Sequence, residues 1–155
     1  MKLRIRKLLA AALVICLVAA MLPGAALAVD DPKPFKVGTE SFGTLQDAIN
    51  RATTGSIKTI DLDSAANLTG TATISSGITL DIGSGASLAI ESGVTLTNAG
   101  TITNSGSISV AGTFTSSGTF TNSGDVTVSA GANCTIGGTF THSGDIVVAA
   151  GVAPS

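Results

Sequence analysis

The sequence contains no tryptophan and no tyrosine, and only one histidine and two cysteines among its 155 residues. Tryptophan and tyrosine are the rings on which proteins usually stack sugars, so their absence disfavours a carbohydrate cleft. Positive charge is also scarce, because no lysine or arginine occurs between Thr59 and Ser155. Proteins that bind nucleic acid or anionic membrane surfaces need a basic patch, so we expect neither as a partner.

Residues 1–28 have the features of a secretory signal peptide. A basic start, MKLRIRK, precedes the apolar run LLAAALVICLVAA, and Ala26-Leu27-Ala28 matches a small-residue cleavage site. The run is short for a membrane span and Pro23-Gly24 interrupts it; a retained anchor is the alternative. We expect the exported chain to begin at Val29 and not to be inserted in the membrane after processing. Its formal charge would be −6, from four basic and ten acidic residues.

Cys134 is the one cysteine left in the exported chain, since Cys16 lies in the apolar run. A single cysteine cannot form an internal disulfide. We therefore expect Cys134 to be a small core side chain, and an intermolecular link is the alternative.

A six-residue phrase repeats from Thr97 to Ile146, as in TNAGTI, TNSGSI and TSSGTF. One apolar residue follows two positions after each glycine of the phrase. The glycines are Gly100, Gly106, Gly112, Gly118, Gly124, Gly138 and Gly144, and the apolar residues are Ile102, Ile108, Phe114, Phe120, Val126, Phe140 and Ile146. A short fixed period of this kind predicts a solenoid, in which each coil buries its apolar row by stacking on its neighbours.

The hexad predicts very short strands separated by tight corners. In T-Φ-T (Φ, apolar) one side chain faces inward and two face outward. The N-S-G and S-S-G triplets are corner sequences, in which glycine accepts a positive φ and asparagine tolerates it. Three hexads make a triangular coil of about 18 residues and two make a flattened coil of about 12, and the repeat allows both.

A single helix is predicted before the coils, at about residues 45–53. Thr44 is a suitable N-cap with Asp47 three residues on, and Gly55 is placed to end the helix. Leu45, Ala48, Ile49 and Ala52 form one apolar face, which we expect to cover the open end of the solenoid core. The predicted domains are thus a signal peptide (1–28), a leader and first strand (29–43), a capping helix (44–55) and β-helix coils (56–155).

Less regular coils are expected between residues 58 and 96. Apolar residues alternate there in KTIDL, ITLDI, SLAI and VTL, and SAAN, SSG, GSGA and ESG are read as turns. The later segment TVSAGANC breaks the hexad phase and predicts a longer corner.

FGTLQDAINRATTGSIKTIDL and ITLDIGSGASLAIESGVTLTNAGTITNSGSI resemble the pectin-lyase-like right-handed parallel β-helix of secreted and surface proteins of bacteria. The first segment resembles the capping helix and first strand of that family, and the second resembles its coils. The resemblance implies an all-β, single-stranded parallel β-helix (a β-solenoid) that is right-handed and has one short N-terminal capping helix. Periodicity alone leaves a left-handed hexapeptide helix open.

Residues with catalytic or ligand-binding chemistry are few. Lyases of the resembling family combine calcium-binding acids with a basic residue, and the coils have Asp61, Asp63, Asp81, Glu91, Asp125 and Asp145 but no base beyond Lys58. The Asp61 and Asp63 pair is read as solvated strand acids rather than a hydrolase pair, and Asp125 and Asp145 as corner acids rather than a calcium site. His142 is read as a surface turn residue that replaces the hexad asparagine.

Asparagine and threonine recur at fixed places in the hexad. Asn98, Asn104 and Asn122 are expected to form a structural ladder of amides between coils. The outward T-x-T pairs resemble the threonine rows of ice-binding proteins. Thr is also simply a favourable strand residue, and pairs six residues apart are expected to fall on different sides of a triangular coil.

The sequence as a whole predicts a secreted or cell-surface β-solenoid that acts as a structural or adhesion module. We predict no catalytic, cofactor-binding or metal-binding residues and no cofactor. Extracellular polysaccharide or other surface proteins are the expected partners. A polysaccharide-acting, lyase-like fragment and an ice-binding protein are the two alternatives.

Overall fold

A computed structural model describes residues 32–150, so the predicted signal peptide lies outside the described residues. One helix and sixteen short strands follow one another along this part of the chain. They are β1 (Phe35–Val37), β2 (Glu40–Phe42), α1 (Leu45–Thr54), β3 (Thr59–Leu62), β4 (Ala65–Leu68), β5 (Ala72–Ile74), β6 (Thr79–Ile82), β7 (Ser87–Ile90), β8 (Thr95–Asn98), β9 (Thr101–Asn104), β10 (Ser107–Val110), β11 (Thr113–Ser116), β12 (Thr119–Asn122), β13 (Asp125–Val128), β14 (Asn133–Ile136), β15 (Thr139–His142) and β16 (Asp145–Val148).

Every third strand from β3 onward pairs in parallel, which builds a β-solenoid with three sheets. Sheet A contains β3, β6, β9, β12 and β15, sheet B contains β4, β7, β10, β13 and β16, and sheet C contains β5, β8, β11 and β14. The chain therefore makes four complete three-stranded turns and begins a fifth. The predicted all-β parallel β-helix with one short helix is confirmed, and the coil is triangular rather than flattened.

The first residues of the sheet A strands show how the coils stack. Thr59, Thr79, Thr101, Thr119 and Thr139 are partners in consecutive strands, and they lie 20, 22, 18 and 20 residues apart. Only the coil from Thr101 has the 18 residues that three uninterrupted hexads give. The other coils are longer because some of their corners are longer.

Each four-residue strand points its second and fourth side chains inward. In β6, for example, Leu80 and Ile82 are buried whereas Thr79 and Asp81 are half-buried on the outer side. The alternation of apolar and polar residues thus has the period of two expected for a strand. The inward residues of all three sheets form one continuous core with the apolar face of α1.

From β5 onward the strands are joined by two kinds of corner. Wide corners have four residues, and narrow corners have two. The wide corners are residues 75–78, 83–86, 91–94 and 129–132, and the narrow corners of the hexad region are residues 99–100, 105–106, 111–112, 117–118, 123–124, 137–138 and 143–144. The long corner predicted within TVSAGANC is the last of the wide ones.

Wide corners require glycine for its backbone conformation. In each of them the amide of the fourth residue donates to the carbonyl of the first, as Ile78 does to Ser75 over 3.0 Å. The third residue is Gly77, Gly85, Gly93 or Gly131, with φ between 78° and 88°. Glycine at the third position with a positive φ is the signature of a type II turn.

Narrow corners require glycine for a different reason, which corrects the sequence interpretation of the hexad. None of the seven hexad glycines has a positive φ. Instead, a Cβ on any of them would collide with a backbone carbonyl oxygen of the coil below, as a Cβ on Gly112 would with the oxygens of Glu91 and Val94. The hexad glycine is therefore set by close stacking of coils and not by a left-handed backbone.

Helix α1 covers the N-terminal end of the solenoid, as predicted. The Thr44 hydroxyl accepts a hydrogen bond from the Asp47 amide over 3.1 Å at its start. Leu45, Ala48, Ile49 and Ala52 are all buried in the common core. This packing supplies the stability that an isolated ten-residue helix lacks in water.

A hairpin that the sequence analysis missed completes the N-terminal end. Strand β1 was expected, but β2 was not, and β1 pairs antiparallel with both β2 and β3. The first free edge of sheet A is thereby covered. Two contacts with charged groups fasten α1: Arg51 binds the Glu40 carboxylate through two nitrogens at 2.7–3.0 Å, and Lys58 donates to the carbonyls of Ala52 and Thr53 at the helix end.

One predicted turn is a strand. The SAAN segment was read as a turn, but Ala65–Leu68 forms β4 and pairs in register with β7. Ala66 occupies the inward position that Leu88 fills in the next coil. Alanine is too small an apolar residue to mark an inward position in the sequence pattern, so the strand went unrecognised.

Candidate functional site

Two of the three outer faces carry stacked threonines. On sheet A the outward positions of β9, β12 and β15 are Thr101, Thr103, Thr119, Thr121, Thr139 and Thr141, which we call the threonine face. They form two rows, because Thr101, Thr119 and Thr139 are register partners, as are Thr103, Thr121 and Thr141. On sheet C, Thr95 stacks on Thr113 and Thr97 on Thr115.

The T-x-T pairs were expected to be dispersed around the triangle, and this expectation is wrong in part. Successive pairs do lie on different sides, but the corner after Asn104 leads into Ser107 and Ser109 on sheet B, so no T-x-T pair falls there. The threonines are consequently concentrated on sheets A and C, where they align.

The threonine face presents a regular array of hydroxyl and methyl groups without charge. Neighbouring rungs of a sheet are about 4.8 Å apart, and alternate residues along a strand are about 6.6 Å apart. Each hydroxyl can both donate and accept a hydrogen bond. Such an array suits repeated hydrogen bonds to an extended polar surface.

The asparagines form ladders inside the solenoid. The Asn104 side-chain amide donates to the Asn122 amide oxygen over 2.7 Å, and the Asn98 amide donates to the Ser116 hydroxyl over 3.0 Å. Asn98, Asn104 and Asn122 are each at most 1 % exposed. The predicted amide bond between coils is thus present between Asn104 and Asn122, whereas Asn98 bonds to a serine in the next coil.

These asparagines also close the narrow corners. The side-chain oxygens of Asn98 and Asn104 accept hydrogen bonds from the amides of Gly100 and Gly106, two residues further on. The sequence analysis placed the asparagines at the corners but missed that the fourth strand position points inward. The sequence did contain a signal for this inward position. Apolar residues such as Ile82, the register partner of Asn104, occupy the fourth position in other strands.

The acids of the first coils lie together on the outer side of sheet A. Asp61 and Asp81 are register partners, and Asp63 follows at the end of β3 with its carboxylate 2.7 Å from the Lys36 ammonium. Partial burial raises the pKa of Asp61, and the neighbouring charges of Asp63 and Asp81 raise it further. Asp63 is thus matched by a lysine from β1, which fits the reading of these residues as surface acids.

Asp125 and Asp145 are register partners on sheet B, in agreement with their shared hexad position. Within residues 32–150, no group of three or more histidine, cysteine or acidic side chains converges in a way that could hold a metal ion.

His142 replaces the ladder asparagine, as predicted, but it belongs to a strand and not to a turn. It ends β15, is the register partner of Asn122, and stacks its ring on Phe140 with centroids 5.7 Å apart. Its side chain is exposed because the described part of the chain places no further coil above it.

Cys134 is a free, half-buried thiol that packs against the core from β14. It is the register partner of Phe114, and burial raises the pKa of its thiol. The expectation of a small side chain at the core is confirmed.

The comparison with protein families identifies the repeat. The haemagglutinin repeat family matches residues 27–106 and again residues 105–155, which together make up most of the sequence. The chain belongs to the haemagglutinin repeat family.

Membership of the haemagglutinin repeat family agrees with a β-helix of the adhesin type. The resemblance to pectin-lyase-like proteins, and with it a right-handed coil, stays a prediction. No curated protein and no solved structure matches the chain. Across residues 32–150 no helix has the length and apolar character needed to span a membrane.

Proposed function

We propose that this haemagglutinin repeat protein is a secreted or cell-surface adhesion module that works without catalysis. The N-terminal basic, apolar and small-residue segments support export and cleavage after Ala28. The family supports adhesion, and a solenoid with a closed N-terminal end supplies a stiff scaffold for it. Export would be confirmed by an N-terminal sequence beginning at Val29.

The threonine face is the surface that we assign to adhesion. It is the observation that carries the proposal, because six hydroxyl side chains are aligned there in two rows by the register of β9, β12 and β15. Extracellular polysaccharide is the partner that best fits, since a chain of hydroxyl-bearing units can bond to several rungs at once. Each bond adds only about 1 kcal/mol, so binding depends on several acting together.

Binding of the exported protein to immobilised polysaccharide, measured before and after substitution, tests this assignment. Thr103→Val with Thr121→Val removes two hydroxyls while keeping side-chain shape and strand preference. The loss of two hydrogen bonds is expected to weaken binding by about tenfold or more. The matched control on sheet B, Ser109→Ala with Thr127→Val, should bind like the unsubstituted protein.

Equal binding by the two double variants would remove the threonine face from the proposal. A product released from the polysaccharide by purified protein would contradict the absence of catalysis and favour the lyase-like alternative.

Ice binding is a second candidate, favoured by the same alignment of threonine methyl and hydroxyl groups on sheet A. It predicts thermal hysteresis that Thr103→Val with Thr121→Val changes and the sheet B control does not. Absence of hysteresis at high protein concentration removes this candidate.

A further inference from the structure

Sheet C carries a second array of threonines, which the threonine face of sheet A does not include. We call its outward residues the second threonine face, and they are Thr73, Thr95, Thr97, Thr113, Thr115, Asn133 and Thr135. The register of β5, β8, β11 and β14 aligns four of them in one column, Thr73, Thr97, Thr115 and Thr135. Every strand of sheet C therefore contributes a threonine to this column.

The second threonine face carries no charge. The strands β5, β8, β11 and β14 contain no lysine, arginine, aspartate or glutamate. The acids of the coil strands lie on the other two sheets, Asp61 and Asp81 on sheet A and Asp125 and Asp145 on sheet B. A neutral ligand can therefore lie on sheet C without removing water from a charged side chain, which would be costly.

Most hydroxyls of the column are available to a ligand. Thr135 donates a hydrogen bond to the Asn133 side-chain oxygen over 3.3 Å. Within residues 32–150, the hydroxyls of Thr73, Thr97 and Thr115 make no hydrogen bond to another protein group. Each of these three hydroxyls can thus both donate to a ligand and accept from it.

The dimensions of a face decide how a long ligand lies on it. One strand offers two outward side chains, whereas a column offers one from each coil at a spacing of about 4.8 Å. A single hydrogen bond improves affinity only about fivefold, and association has a large entropic cost to offset. Only a ligand that follows a column, parallel to the solenoid axis, can make the several bonds that binding needs.

This direction selects a neutral, extended polysaccharide with β-linked sugars. In such a chain, successive sugars advance by a distance close to one strand spacing, so each coil can meet one sugar. A polysaccharide that winds into a helix cannot keep this match. A polysaccharide that carries carboxylates is disfavoured by the negative charge of the protein.

Sheets A and C face in different directions, because each coil is triangular. One stiff polysaccharide chain can therefore lie on only one of the two sheets. We propose that the second threonine face is an independent binding site, so that one molecule holds two polysaccharide chains and cross-links them. This inference rests on the proposed adhesion to polysaccharide and adds to it a second site and a bridging activity.

Titration of the exported protein with a fragment of glucomannan counts the sites. Glucomannan is a neutral, extended polysaccharide with β-linked sugars, and a fragment of about six sugars is long enough to follow a column. We expect the unsubstituted protein to bind two fragments per chain. Thr97→Val with Thr115→Val removes two hydroxyls from the second threonine face and keeps side-chain shape, so it should weaken one of the two sites about tenfold or more.

Variants on the other two sheets are the matched controls for this titration. Thr103→Val with Thr121→Val should weaken the site on sheet A and leave the site on sheet C unchanged. The sheet B pair, Ser109→Ala with Thr127→Val, should retain both sites.

Turbidity of the protein mixed with long glucomannan measures bridging. The unsubstituted protein and the sheet B variant should give turbid mixtures that the short fragment clears, because bridging needs both sites. Each of the two threonine variants should need about tenfold more protein to reach the same turbidity. On an immobilised polysaccharide network both faces can bind at once, so loss of either face should weaken retention there as well.

A single site per chain, weakened by Thr103→Val with Thr121→Val and unaffected by Thr97→Val with Thr115→Val, would overturn the second site and leave adhesion through sheet A standing. Two sites without turbidity would overturn the bridging activity. Failure of the protein to bind glucomannan would overturn the whole inference, and the experiment with immobilised polysaccharide decides the adhesion proposal separately.

Discussion

At the scale of single residues, glycine has two separate tasks in this chain. In the wide corners it takes a positive φ, and at Gly77, Gly85, Gly93 and Gly131 a Cβ would meet no neighbouring atom. The seven hexad glycines of the narrow corners have an ordinary φ and no room for a Cβ. The sequence shows that glycine recurs but cannot separate these tasks, because close contact with the coil below depends on residues about twenty positions away.

Alanine substitution at two equivalent corners measures how much stability depends on the close stacking that the hexad glycine allows. Gly112→Ala brings its Cβ against the carbonyls of Glu91 and Val94, and overpacking of this kind costs about 1–3 kcal/mol of unfolding free energy. Gly70→Ala at the same corner of the first coil has no coil below and open space for a Cβ. Urea denaturation should show Gly70→Ala close to the unsubstituted protein; equal losses would contradict the stacking explanation.

The aligned acids of sheet A predict that neutralising one of them stabilises the protein at neutral pH but not at acid pH. Because burial and the charges of Asp63 and Asp81 raise the pKa of Asp61 in the folded chain, ionisation of Asp61 destabilises the fold as pH rises through that pKa. Asp81→Asn removes one of these charges. At pH 7 we expect it to stabilise the protein by roughly 0.2–1 kcal/mol, the range for opposed like charges on neighbouring strands.

At about pH 3, below the ordinary pKa of aspartic acid, the gain from Asp81→Asn should largely disappear. Urea midpoints at the two pH values provide the measurement. Glu91→Gln, a neutralised acid in an exposed corner, is the control and should change little at either pH. A gain in stability that is larger at pH 3 than at pH 7 would contradict repulsion between the ionised acids as its cause.

At the scale of elements, the helix was predictable because all its signals are local. Thr44, Asp47 and the apolar spacing of Leu45, Ala48 and Ile49 lie within one short segment, and all act as expected. The hairpin strand β2 was not predictable, because its one partner is β1, which in turn covers an edge of β3 that the sequence does not display. The threonine face was missed for a related reason: alignment on sheet A depends on corner lengths, which change from coil to coil.

The capping role of α1 can be tested by placing a charge on each of its faces. Ala48 is fully buried against the end of the core, so Ala48→Lys buries an unpaired ammonium and is expected to cost more than about 3 kcal/mol. Asn50→Lys on the exposed face of the same helix should alter stability by less than about 0.5 kcal/mol. Thermal denaturation followed by circular dichroism compares them, and similar melting temperatures would rule out the capping role.

At the scale of the whole molecule, the solenoid has a direction. Its N-terminal end is closed by α1 and the β1–β2 hairpin, and its described C-terminal end exposes core positions such as Phe140. The periodic sequence predicted stacked coils and the closed end, because both follow from apolar patterning. The number of sides per coil did not follow from the hexad alone, since wide corners add residues without adding a strand.

Wide and narrow corners differ by two residues, and this step bears on how the molecule can change during evolution. A strand alternates inward and outward with a period of two, so an insertion or deletion of two residues at a corner leaves the facing of every later side chain unchanged. A change of one residue would exchange the core and the surface in each following strand. Coils of 18, 20 and 22 residues therefore coexist in one solenoid. In related sequences the lengths of the corners should differ by two residues.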